Sequence, residues 1–106
     1  MAKLVSKTYG EALFEAAMES GEDRAGMIFK EIEEIRKILA ENHRFDEFMK
    51  HPGIPKQEKL QVVDTVFRGR ASEELVNFLE IVISKERYRD LPEIFEYFTG
   101  KVKEQK

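Results

Sequence analysis

The stretch Leu75-Val76-Asn77-Phe78-Leu79-Glu80-Ile81-Val82-Ile83 decides the fold class of this chain. Its apolar residues do not alternate with polar ones, as a half-buried strand would require. The polar positions in and around it, Glu73, Asn77, Glu80 and Ser84, recur at intervals of three and four, which is the period of a helix. Ser72 stands in front of it, with Glu73 and Glu74 placed for the first turn, where carboxylates favour the helix dipole. A helix is therefore expected from Ser72 through about Lys85.

Reading outward, the rest of the chain divides in the same way. Downstream, Asp90-Leu91-Pro92-Glu93 has the form of a capping box and opens a last helix. That helix carries Leu91, Ile94, Phe95, Phe98 and Val102 on one side, and its Lys/Glu/Gln tail from Lys101 is expected to fray. Upstream, Gly69 stops a helix that runs from Pro55 to about Phe67, with Leu60, Val63 and Phe67 inward. His51-Pro52-Gly53-Ile54-Pro55 is the clearest break, because Pro52 disfavours helix in the residue before it. Before the break lies a short segment, Arg44 to Lys50. Before that, a helix capped by Asp23 runs to about Glu41, with Ile28, Ile32, Ile35 and Leu39 at helical spacing. The first helix, Lys3 to Glu19, ends at Gly21, placed as a left-handed cap residue. No strand alternation, repeat or low-complexity tract interrupts this order. The expectation is an all-α, six-helix bundle forming one domain over residues 1–106.

Composition narrows the function. The 106 residues suit one domain with one core. A hydrophobic share of 42% is too high for disorder. With no Cys there is neither a disulfide scaffold nor a thiolate metal site. The longest apolar runs, such as Ile81-Val82-Ile83, are far too short for direct membrane insertion, and the N-terminus has no signal-peptide core. Eighteen Lys and Arg against 21 Asp and Glu leave a net charge of −3, which argues against a nucleic-acid binder. A soluble intracellular helical domain is the expectation.

Two helices carry more apolar surface than a single core needs. On a wheel of about 100° per residue, Val5, Tyr9, Ala12, Leu13, Phe14, Ala16 and Ala17 spread over roughly 200°. Leu75, Val76, Phe78, Leu79, Ile81, Val82 and Ile83 spread over roughly 220°, whereas a stripe of little more than 100° suffices for one packed face. Two readings fit. A helix central to a bundle becomes apolar nearly all round, or the surplus forms a groove for a partner. Ala12 and Ala16 beside Tyr9 favour the groove, since small residues let another helix approach closely.

Other constellations are weaker. His43, Glu47 and His51 stand at i, i+4 and i+8, a possible metal-ligand face, but Pro52 interferes with a helix reaching His51, and no metal is expected. Arg68-Gly69-Arg70 with Lys56 and Lys59 could meet a phosphate, yet reads better as a solvated helix end in an acidic domain. In Lys85-Glu86-Arg87-Tyr88-Arg89-Asp90, Arg87 or Arg89 is placed to bridge carboxylates. There is no nucleophile elbow and no phosphate-binding loop. Neither catalysis nor a cofactor is expected.

Three fragments in order resemble one family. Tyr9-Gly10-Glu11-Ala12-Leu13-Phe14-Glu15 resembles the opening "Y-A-x-A-L-F-E" of the delta subunit of bacterial F-type ATP synthase, counterpart of the oligomycin-sensitivity-conferring protein. Phe48-Met49-Lys50-His51-Pro52-Gly53-Ile54-Pro55-Lys56-Gln57-Glu58-Lys59 is similar to its "F-L-x-x-P-x-I-x-x-x-x-K". Asn77-Phe78-Leu79-Glu80-Ile81-Val82-Ile83, then Glu86 to Ile94, is similar to "N-F-L-x-L-L-x-x-x-x-R-x-x-x-L-x-x-I". Gly10 departs from the usual alanine, at a cost of about 1 kcal/mol in helix propensity.

The resemblance implies the six-helix N-terminal domain of a non-catalytic stator subunit, which holds the catalytic head to the peripheral stalk. It implies a partner, the N-terminal helix of an alpha subunit, lying between the first and fifth helices. Carried over by position, the contacts are Val5, Tyr9, Ala12, Ala16, Asn77, Phe78, Ile81 and Lys85. By the same resemblance, the family's second domain, which contacts the b subunits, is expected to be absent from this chain. The resemblance also implies a peripheral place at the cytoplasmic face of the bacterial membrane, and the isolated domain is expected to be monomeric. The alternative is a stand-alone adaptor for some other amphipathic helix.

Overall fold

The computed structural model describes residues 2–104. Six α-helices follow one another: α1 (Ala2–Glu19), α2 (Glu22–Glu41), α3 (His43–Lys50), α4 (Lys56–Phe67), α5 (Glu73–Ser84) and α6 (Leu91–Glu104), with a 3-10 turn at Tyr88–Asp90. Among the described residues there is no β-strand, only an isolated bridge between Arg68 and Ala71 in the α4–α5 turn. The fold is all-α, and its radius of gyration, 13.3 Å, is that of one folded domain of this length, about 13 Å.

The core is built where the stripes meet. α2 contributes Ile28, Ile32 and Ile35, and α6 contributes Leu91, Ile94, Phe95, Phe98 and Val102, all buried. α1 lies chiefly along α6, with lighter packing on α2 and α5, while α5 packs mainly on α4. The inward stripe of α1 is Ser6, Gly10, Leu13 and Ala17, a 4-3-4 spacing with small residues toward its start. At Gly10 the reason is steric. A Cβ there would stand 2.6 Å from Cδ1 of Tyr97, so the ring of α6 lies where a side chain would be. Phe14 packs edge-to-face on Phe98 at 6.3 Å, with the Lys101 ammonium 5.5 Å from its ring.

Several helix ends differ from the expectation. α2 begins at Glu22 with Gly21 in the cap position, so Asp23 lies in the first turn and does not cap it. Gly21 takes φ 111° and ψ 156°, a region open essentially to glycine, which turns the chain sharply out of α1. Pro55 occupies the cap position of α4 and sits just outside the first turn. Ser72 does cap the start of α5 by position, but its hydroxyl does not bond its own helix. Its Oγ and N–H both donate to Glu31 of α2, at 2.8 and 3.0 Å, so the residue ties two helices together. The capping box at Asp90 does not form either. Asp90 belongs to the 3-10 turn, where its N–H donates to the Arg87 carbonyl, and its carboxylate lies 3.9 Å from Arg87. The frayed tail is also corrected through Glu104: Val102 is buried, and α6 stays helical around it. Gln105 and Lys106 lie outside the described residues.

Candidate partner-binding face on α1 and α5

α1 and α5 meet at two points. Near the end of α1, Ser20 donates to Glu74 at the start of α5, while toward its beginning Tyr9 meets Phe78, edge-to-face at 6.4 Å and 72°. Val5, Tyr9, Ala12 and Ala16 fall within about 60° of arc on α1, and Asn77, Ile81 and Lys85 follow one another at i+4 on α5. The two stripes are the outward continuations of the surfaces by which the helices join the bundle.

The burial of these residues divides them into floor and rim. Phe78 is only 7% exposed and belongs to the core, so it lies beneath the surface as a floor. Tyr9 and Val5 are half-buried, and Tyr9 shields Phe78 from above. Ala12, Ala16, Asn77 and Lys85 are exposed, and Ile81 is 51% exposed. The surplus apolar arc of α5 is therefore mostly ordinary core, since Leu75, Val76, Phe78, Leu79, Val82 and Ile83 are all buried. Ile81 alone of that set faces out. The surplus on α1 behaves differently, with its two alanines left at the surface.

Two further residues belong to this neighbourhood: Leu4, which the sequence left unmarked, and Arg68, which it marked only as a solvated helix end. Leu4, 71% exposed, adds an apolar side chain at the start of α1, and as a lone Leu beside a polar face it gave no periodic signal. Arg68 follows α4 and reaches across to α5. Its Nε donates to Asp64 at 2.9 Å, its Nη2 to Glu80 at 3.1 Å and its Nη1 to Oδ1 of Asn77 at 3.2 Å. The hydrogen bond from Arg68 holds the Asp64 carboxyl below its ordinary range, while desolvation and then the neighbouring Asp64 push Glu80 above it. Asn77 is thus oriented by a guanidinium that two carboxylates hold in place. At the other corner Nε and Nη2 of Arg24 grip Glu74 at 2.8 and 2.6 Å, which lowers the Glu74 pKa to about 2.

The competing constellations come apart. α3 starts at His43 and ends at Lys50, and His51 is extended, with Nδ1 accepting from the Gly53 N–H at 2.9 Å. His43, Glu47 and His51 therefore do not share a helix face, and among the described residues no group of three His, Asp or Glu could hold a metal. Arg68 is engaged by carboxylates, and Lys56 Nζ donates to the Ser84 carbonyl at 2.9 Å, which pins α4 to the end of α5. No helix among the described residues is long and apolar enough to cross a membrane.

Comparison with known proteins agrees with the fold. The profile of the family described as ATP synthase delta (OSCP) subunit matches residues 5–106. The ATP synthase subunit delta of Lachnoclostridium phytofermentans is 45% identical over the whole chain, which covers 57% of that protein. That of Alkaliphilus oremlandii is 40% identical over 82% of the chain and 47% of its own length. That of Moorella thermoacetica is 39% identical over 89% of the chain and 51% of its own length. The chain spans about half the length of the curated relatives it matches.

Proposed function

The chain belongs to the ATP synthase delta (OSCP) subunit family, and from that premise we propose that its stripe on α1 and α5 binds the N-terminal helix of an alpha subunit. In this reading the chain is the non-catalytic N-terminal domain of a stator subunit. It anchors the catalytic head of the rotary ATP synthase to the peripheral stalk, at the cytoplasmic face of the bacterial membrane. The b subunits would be met by a second domain, for which the greater length of the relatives leaves room.

The observation that carries the proposal is Ile81. It is a branched apolar side chain, half exposed on an otherwise buried apolar run of α5. Covering its exposed half would contribute about 1 kcal/mol. Ala12 and Ala16 let an incoming helix come close, and Val5 and Lys85 close the ends of the stripe. Asn77, oriented by Arg68, offers a polar contact at the rim. The incoming segment folds as it binds, so part of the gross attraction is offset by its ordering.

Calorimetric titration with a synthetic peptide of the cognate alpha N-terminus tests this. Ala12→Asp and Ile81→Asp place a charge where the peptide buries apolar surface, and each is expected to weaken binding by several kcal/mol. Both sites are exposed, so the circular dichroism spectrum and melting should stay close to the parent. Unchanged dissociation constants in both variants would remove this face from the interface. Tyr9→Ala should also weaken the peptide, but it uncovers Phe78 and needs the same check of folding.

A further inference from the structure

On the side of the molecule formed by the end of α2, α3 and the α5–α6 junction, two hollows adjoin. One, of about 410 Å³, lies among Arg36, Leu39, Asp46, Tyr88, Pro92 and Phe95. The other, of about 300 Å³, lies among Ile54, Lys56, Lys59, Ile83 and Glu86. Lys50, Tyr88 and Arg89 line both, so they form one cleft. No residue of α1 contributes to it, and it shares none of the residues assigned to the alpha-peptide stripe.

Its charge is opposite to that of the molecule. The chain as a whole is at −3, yet Arg36, Lys50, Lys56, Lys59 and Arg89 line the cleft against only Asp46 and Glu86. Asp46 is already engaged: it accepts from the Tyr88 hydroxyl at 2.6 Å and pairs with Lys50 at 2.9 Å. Lys59 and Arg89 make no ion pair among the described residues. Beneath these cations the floor is apolar, with Leu39, Leu91, Pro92 and Phe95 in the larger hollow.

We infer that this cleft docks an acidic segment of a partner protein, one with a large apolar side chain flanked by carboxylates. The apolar residue would seat on Pro92 and Phe95, and the carboxylates would meet Arg89 and Lys59. The arrangement suits a peptide better than other anions. A free phosphate or nucleotide calls for donors converging on one point, whereas these cations come from four elements spread over two hollows. A membrane calls for a convex or flat basic face, and this one is concave. A nucleic acid calls for a basic stripe over the domain as a whole, whereas these cations are confined to one cleft of a chain at −3. This inference does not depend on the alpha-peptide face.

Selection of random peptides displayed on phage against the 106-residue chain tests it. The expected result is enrichment of Asp and Glu around one or two large apolar residues. A synthetic copy of the enriched peptide should shift the NMR signals of Leu39, Tyr88 and Phe95. The double variant Arg89→Glu with Lys59→Glu, at an exposed and a half-buried position, should weaken that peptide about tenfold or more, and added salt should weaken it further. The circular dichroism spectrum and melting of the variant should match those of the parent, which reports that it is folded. Selection that enriches no acidic sequence, or acidic peptides whose affinity the variant leaves intact, overturns the inference. Binding of phosphatidylglycerol vesicles through Arg89 and Lys59, without acidic peptide enrichment, would overturn it in favour of a membrane contact.

Discussion

Gly10 and Gly26 each interrupt a helix, yet the same substitution should act on them in opposite directions. At Gly26 a Cβ meets nothing within 4 Å and the backbone is ordinary helix. Gly26→Ala is expected to raise stability by about 0.5–1 kcal/mol, the propensity difference alone. At Gly10 the same methyl would overlap the inner atoms of Tyr97, which cannot swing clear without moving α6. The overpacking cost, about 1–3 kcal/mol, outweighs the propensity gain, so Gly10→Ala should destabilise by about 1 kcal/mol or more. Urea unfolding of the two variants checks both signs, and in the Tyr97→Ala background, which removes Cγ and Cδ1 of the ring, Gly10→Ala should cost less than in the parent. The sequence shows Gly10 only as a departure from the alanine usual in the family. Its cause depends on how α1 lies against α6, a register that no local pattern contains.

Among the elements, α2 and α5 are joined through Ser72 and Glu74, which sequence reading placed only at the start of their own helix. Glu31 receives Ser72, and Glu74 receives Arg24 and Ser20. The Glu74 carboxyl is lowered from 4.5 to about 2, first by the Arg24 hydrogen bond. A depressed folded pKa means that the contribution is complete above the ordinary carboxylate range. It is lost as pH falls from about 4.5 through about 2. Glu74→Gln should therefore melt earlier than the parent at neutral pH, and the gap should close as the pH is lowered through that window. Thermal unfolding followed by circular dichroism between neutral pH and pH 2 measures it, and a gap constant with pH would contradict the assignment.

The helices themselves were legible because their punctuation is strong. The His51–Pro55 break, Gly21 and Gly69 fall where helices end, and the stripes of α2 and α6 are buried as their spacing requires. The caps at Asp23 and Asp90 were misread for a common reason. A capping side chain competes with glycine geometry in one case and with a 3-10 turn in the other, and both competitors are set by tertiary packing. The width of the α5 arc likewise overstated its free surface, because a wheel does not reveal how many neighbours a helix has.

At the scale of the whole molecule, the bundle presents two distinct faces. One, on α1 and α5, is narrow and apolar, with small side chains; the other is a basic cleft across α2, α3 and the α5–α6 junction. In the proposed stator role the domain must hold a partner without turning over, and separate faces would let it bind two segments at once. The central claim concerns the first face, and an NMR titration of the chain with the alpha N-terminal peptide tests it most directly. The account predicts saturable shifts gathered on Tyr9, Ala12, Ala16, Asn77 and Ile81, with Leu39 and Arg89 undisturbed. Shifts gathered on the basic cleft, or no shifts at millimolar peptide, would contradict it.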